Sequence, residues 1–135
     1  MKKTHIKICC ISSIEEAKLA INAGASALGL VGYMPSGPGI ISNQLIAEIA
    51  ASVPKHIDTF LLTSETSAEK IIQHYLKVNT TTIQLVDALM QGSHSQIKSA
   101  LPHIKIVQVL HVLDESSIDE ALKISNFVDL ILLDS

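Results

Sequence analysis

Short runs of β-branched and leucine residues alternate along the chain with amphipathic stretches, the pattern of a parallel sheet covered by helices. The runs predict strands at His5 to Ile11, Ala27 to Tyr33, His56 to Thr63, Thr81 to Asp87, Lys105 to Val112 and Phe127 to Asp134. The stretches between them carry helix punctuation. Ser13 with Glu16 reads as a capping box, in which the hydroxyl accepts from a free backbone N–H and the carboxylate reaches back. Ala17, Ala20 and Ile21 supply the stripe to be buried, and Gly24 is placed to end the helix at positive φ. A second helix is expected from about Ser42 to Val53, stopped by Pro54. Thr66 with Glu69, Ser93 with Gln96 and Ser117 with Glu120 repeat the box before Ile71/Ile72, Ile97 and Ala121/Leu122.

Strand starts recur about every 22 to 30 residues, close to the shortest βαβ crossover. The spacing fits five βα units and a sixth strand of a (β/α)₈ barrel, an α/β fold whose eight units need about 200 residues. One domain, residues 1–135, is expected, as an incomplete barrel that breaks off after strand six. A doubly wound open sheet is the competing architecture, since it too binds ligands at the carboxyl ends of its strands. Against a dinucleotide-binding version, the first turn reads Cys9-Cys10-Ile11-Ser12-Ser13 and has no G-x-G-x-x-G fingerprint.

Apolar residues make up 47% of the 135 positions and the net charge is -3, with a mean hydropathy of +0.38. Such a chain can build a core and has no basic field to attract nucleic acid. All the fixed positive charge is lysine. The absence of arginine removes the side chain best shaped for two-pronged recognition of carboxylate or phosphate. No apolar run approaches the roughly 20 residues that cross a bilayer, and Met1 to His5 leads into a strand without a signal-peptide pattern, so a cytoplasmic location is expected. Cys9 and Cys10 are adjacent, a spacing that suits neither a structural zinc site nor a disulfide stapling distant segments, and reduced thiols are expected. The six histidines are scattered, with no pair at the i, i+4 spacing of a helical zinc site, so neither metal nor cofactor is expected. Only His111, near the end of strand five, is placed to reach a site at the carboxyl ends, and a structural role is favoured for it.

Lys7-Ile8-Cys9, a short turn, the Glu15-Glu16-Ala17 helix and Ala23-Gly24-Ala25-Ser26-Ala27-Leu28-Gly29 together resemble the first two strands of the phosphoribosylanthranilate isomerase family. Ile83-Gln84-Leu85 is similar to that family's fourth strand, and Leu132-Leu133-Asp134-Ser135 to the end of its sixth. The resemblance runs in order along nearly the whole chain. It implies an Amadori rearrangement of the phosphoribosyl amine of anthranilate, in tryptophan biosynthesis. Cys9 then matches the general base that takes the proton from the sugar carbon beside the anomeric carbon. Asp134 matches the general acid that protonates the ring oxygen, a pairing that suits ring opening coupled to enolamine formation. Lys7, two residues before Cys9, would share its strand face and favour the thiolate, while Cys10 would pack under a helix. Gly37, Gly39 and Gln84 fall at substrate-contacting positions.

The sequence also departs from that family. Cys10 stands where glycine is usual. Met34-Pro35-Ser36-Gly37-Pro38-Gly39-Ile40 replaces a Ser-Pro-Arg-Tyr motif whose arginine is associated with the anthranilate carboxylate. Val86-Asp87 stands in place of His-Gly. The glycines of the second loop can offer backbone N–H groups to an anion, although Pro38 withdraws one, and an ordinary turn explains them equally well. Barrel enzymes of phosphosugars commonly grip the phosphate after strands seven and eight, so a truncated, impaired isomerase is the leading expectation. Two alternatives are a non-enzymatic partial barrel acting through self-association or fragment complementation, and a related phosphosugar enzyme with another substrate. Open sheet edges add the expectation of a homo-oligomer.

Overall fold

The computed structural model describes residues 3–135. The expected leader-free start at Met1 to His5 thus lies partly outside the described residues, at Met1 and Lys2. Six strands alternate with five helices among the described residues: β1 (Lys7–Ile8), α1 (Ile14–Asn22), β2 (Ala27–Val31), α2 (Asn43–Ser52), β3 (Asp58–Thr63), α3 (Ala68–Val78), β4 (Thr82–Leu85), α4 (His94–Ala100), β5 (Lys105–His111), α5 (Ser116–Ile124) and β6 (Leu130–Asp134).

All neighbouring strands are parallel and their order is β1-β2-β3-β4-β5-β6. A doubly wound sheet reverses its strand order part-way, whereas this order never reverses, so the chain is barrel-like and its crossovers stack the helices on one face. Leu28, Leu30, Leu61, Ile83, Leu85 and Ile106 point to that face. They close a buried core with Ala17 and Ala20 of α1, Ile46 and Ile49 of α2, Ile71 and Tyr75 of α3 and Ile97 of α4.

The other face curls inward, and one contact requires it. Lys7 Nζ on β1 donates to Gln84 Oε1 on β4 at 2.5 Å, although β2 and β3 lie between them. Three strand spacings on a flat sheet are about 14 Å, well beyond the reach of the two side chains. The sheet is a six-stranded part of a (β/α)₈ barrel with β1 and β6 at its edges.

Several expected boundaries move. β1 covers two residues rather than His5 to Ile11, because Cys10 adopts φ 58° and takes the chain out of the ladder. Phe127 belongs to the turn before β6, its N–H donating to the Ile124 carbonyl. Ser13, Ser42 and Ser93 cap α1, α2 and α4, but the Glu16 carboxylate reaches Ser12 rather than Ser13. The two remaining boxes do not form. Ser67, not Thr66, precedes α3 and makes no side-chain cap, while Ser117 lies inside α5 with its Oγ accepting from Leu113 N–H. Asp114 opens α5 instead, accepting from Ser116 N–H at 2.8 Å.

Among the described residues no helix is long and apolar enough to cross a membrane.

Candidate active site

Parallel strands deliver all their carboxyl ends to one end of a sheet, and barrel enzymes build their sites there. Cys9 follows β1 directly and Asp134 is the last residue of β6, so the two lie at the same end. They stand on opposite edges of the sheet and make no hydrogen bond to one another.

Cys9 keeps the register of the ladder beyond β1. A Cβ built on Gly29 would lie 2.4 Å from its Sγ, so the sulfur sits directly over that glycine and any side chain at position 29 would displace it. Gly29 is level with Phe60 on β3. The Lys7 ammonium lies 4.8 Å from the Phe60 ring centroid, a cation–π contact on the concave face. Lys7 and Cys9 therefore share a face, as strand alternation predicts. The ammonium itself is engaged by Gln84 and the Phe60 ring, and Gln84 is buried. Gln84 is thus a partner of Lys7 inside the curl.

Cys10 departs from its expected place under a helix. It is exposed. Its positive φ turns the side chain toward the loop after β2, where Sγ lies 3.9 Å from the Pro38 carbonyl oxygen, to which the thiol donates. A Cβ on Gly39 would be 2.8 Å from that sulfur. Gly39 (φ 84°) and Gly37 (φ 113°) both use backbone conformations that glycine reaches without strain. Gly39 therefore leaves space for Cys10, and the loop of Gly37 and Gly39 closes over the end of β1.

At the other edge, His111 on β5 is in register with Asp134 on β6. His111 Nδ1 lies 3.9 Å from Asp134 Oδ2 and Nε2 lies 3.3 Å from the Val86 carbonyl oxygen, to which it donates. That donation holds the ring with Nδ1 facing the carboxyl group. Sequence reasoning placed His111 near the site but missed this pairing, because the register that creates it is a tertiary property.

His74 on α3 was not singled out by the sequence. It is half-buried beside a cleft of about 330 Å³ lined in part by Tyr33, Glu65, Lys70 and Lys77. Its Nε2 donates to Asn43 Oδ1 at 2.9 Å and its Nδ1 meets Thr63 Oγ1 at 3.2 Å. Burial holds its pKa below the usual histidine value, with Glu65 opposing and Lys77 reinforcing the shift. No group of three or more His, Cys, Asp or Glu is gathered for a metal among the described residues.

The chain is 30% identical over 132 residues to N-(5'-phosphoribosyl)anthranilate isomerase 2 of Methanosarcina mazei, an alignment covering 97% of this chain and 58% of that protein. The corresponding isomerase of Microcystis aeruginosa is 29% identical, with 97% and 61% covered. By sequence the chain is similar to the phosphoribosylanthranilate isomerases. A crystal structure of phosphoribosyl anthranilate isomerase in complex with reduced 1-(o-carboxyphenylamino)-1-deoxyribulose 5-phosphate superposes with a TM-score of 0.80 at 25% identity, covering 98% of this chain and 65% of that one. The isomerase of Thermotoga maritima has the same fold at 22% identity, with a TM-score of 0.80 and 98% and 63% covered. No protein-family model matches. The chain spans about three fifths of the length of these relatives.

Proposed function

We propose that the chain carries the acid and base of an Amadori rearrangement of N-(5-phosphoribosyl)anthranilate, a step of tryptophan biosynthesis. The observation that carries this reading is the placement of Cys9 and Asp134 at the carboxyl ends of β1 and β6, in a fold shared with enzymes of that name. Asp134 gives a proton to the ring oxygen as the C–O bond at the anomeric carbon breaks. The Cys9 thiolate takes the proton from the neighbouring sugar carbon, and the enolamine formed then rearranges to the ketone. Gly29 gives the Cys9 sulfur its room, Lys7 and Gln84 stiffen the strand that bears it, and His111 flanks the Asp134 carboxyl group. The loop of Gly37 and Gly39 faces the phosphorylated substrate with backbone N–H groups. No cofactor takes part, and the compartment is the cytoplasm. Copies of the chain associate through the sheet edges, and nucleic acid is not a partner.

An assay of substrate fluorescence tests the reading. Turnover is expected to be weak, because a chain without arginine has no fork for the anthranilate carboxylate. Cys9→Ala and Asp134→Ala should each lower kcat/KM by a factor on the order of 10² or more. Ser36→Arg, which puts a guanidinium on the loop after β2, should lower KM. Turnover that survives both alanine substitutions would falsify the assignment.

A further inference from the structure

Cys9 and Cys10 are the only cysteines of the chain, both are free and exposed, and the backbone between them is unusual. Along a strand successive Cβ atoms alternate sides. Cys10 has φ 58° instead of a strand value near about -120°, which swings its Cα–Cβ bond about half a turn around the N–Cα axis. The side chain leaves the side opposite Cys9 that a continued strand would give it. Both sulfurs are then seated along β2 and the loop that follows it. A Cβ on Gly29 would be 2.4 Å from Cys9 Sγ, and one on Gly39 2.8 Å from Cys10 Sγ. Two glycines thus clear the space for two neighbouring thiols at the open end of the sheet.

We propose that Cys9 and Cys10 form a modification site for hydroperoxides, an oxidisable pair in which Cys10 resolves the oxidised form of Cys9. In the first step the Cys9 thiolate attacks the terminal peroxide oxygen and the O–O bond breaks. The hydroperoxide leaves as alcohol or water after taking up a proton, and Cys9, oxidised by two electrons, becomes a sulfenic acid. In the second step the Cys10 sulfur attacks the Cys9 sulfur, the S–O bond breaks, and water departs with the Cys10 proton. Two thiols and one hydroperoxide yield one disulfide, one alcohol and one water. Neighbouring Cα atoms are only about 3.8 Å apart, inside the roughly 4.4 Å lower limit of ordinary disulfides, so the bridge is strained and easily reduced. It therefore serves as a reversible block on Cys9 and protects it from irreversible oxidation to sulfinic acid. The inference rests on the placement of the two thiols and holds whether or not the chain is an isomerase.

The test treats the folded full chain with hydrogen peroxide, alkylates the remaining thiols, and maps the peptide that contains both cysteines by mass spectrometry. The expected product has lost two hydrogens, takes up no alkylating reagent, stays within one chain on dilution and regains both thiols with dithiothreitol. In Cys10→Gly, a substitution that suits the positive φ, Cys9 should reach sulfinic acid roughly tenfold faster than in the unsubstituted chain. Circular dichroism checks that the variant is folded. Sulfinic acid forming on Cys9 equally fast in both chains, bridges found only between chains, or no reaction at either thiol would each overturn the proposal. The unsubstituted chain decides the first point of chemistry even if the variant does not fold.

Discussion

His74 shows how a single side chain can be fixed by its partners. With Nε2–H given to Asn43, Nδ1 must accept, and Thr63 supplies the proton while its oxygen accepts from Glu65 N–H. Every group is satisfied with the imidazole neutral. A proton on Nδ1 would make the Thr63 hydroxyl turn and accept, taking its own proton away from His74, and would put a charge in a half-buried place, which agrees with the lowered pKa caused first by burial. The sign of the linkage follows. The unfolded chain binds the proton at a higher pH than the folded chain, so stability is full above the unfolded value of about 6.5 and falls as pH drops from there toward the lower folded value. Denaturant titrations across that window should show this decline, and His74→Gln should flatten it. A slope unchanged by the substitution would remove His74 as its source. The sequence did not announce any of this, because the three partners lie on α2, β3 and α3 and meet only in the fold. That Cys9 and Asp134 stand at the same end of the sheet was legible from the strand pattern. The turning of Cys10 toward the β2 loop was not, since nothing in the letters Cys-Cys specifies a positive φ.

Where an element starts depends on which neighbours recruit its first residues, and here the sequence was half readable. Ser13, Ser42 and Ser93 cap their helices, each accepting from the backbone N–H three residues on. Thr66 has the same spelling in sequence but another employer: its carbonyl accepts from Met90 and Gln91 N–H in the loop before α4, which fixes the chain one residue away from capping geometry. These differences predict distinct costs. Ser93→Ala should destabilise the protein by about 1 kcal/mol through loss of the bond from Gln96 N–H. Thr66→Ala keeps the carbonyl and should stay within about 0.5 kcal/mol. Urea melts of the two variants make the comparison, and equal losses would show that Thr66 also acts through its hydroxyl. The strands were read more securely than the caps, because a run such as Lys105 to Val112 carries its own burial pattern. β1 is the exception, cut short by one residue's dihedral angle.

At the scale of the whole molecule, the order β1 to β6 leaves each edge strand with one neighbour among the described residues, and the two edges differ. β1 spans two residues and β6 spans five. Both edges expose apolar side chains, Ile6 and Ile8 at β1 and a larger group at β6. Leu130 and Leu133 are 54% and 65% exposed, and Ile118 and Leu122 of α5 are each 62% exposed, beside Phe127. Other apolar side chains are exposed singly, Leu19 on α1 and Leu76 on α3 among them, whereas those of β6 and α5 lie on neighbouring elements at one edge. A five-residue strand with free N–H and C=O groups, bordered by such a surface, is a template for pairing. Two copies related by a two-fold axis would join their β6 strands antiparallel and bury α5 against α5. We therefore expect the 135-residue chain to associate through β6, with sedimentation at several concentrations showing a mass that rises toward the dimer. Leu133→Lys should weaken association. Removing one buried leucine from the interface forfeits about 1.5 to 3 kcal/mol, equivalent to roughly tenfold or more in Kd, and the ammonium adds like-charge repulsion across the axis. Ile8→Lys, on the short β1 edge, should have little effect. A chain that stays monomeric and unfolds cooperatively at micromolar concentration would refute the pairing, and equal weakening by both substitutions would move the interface from β6 to a contact that uses both edges.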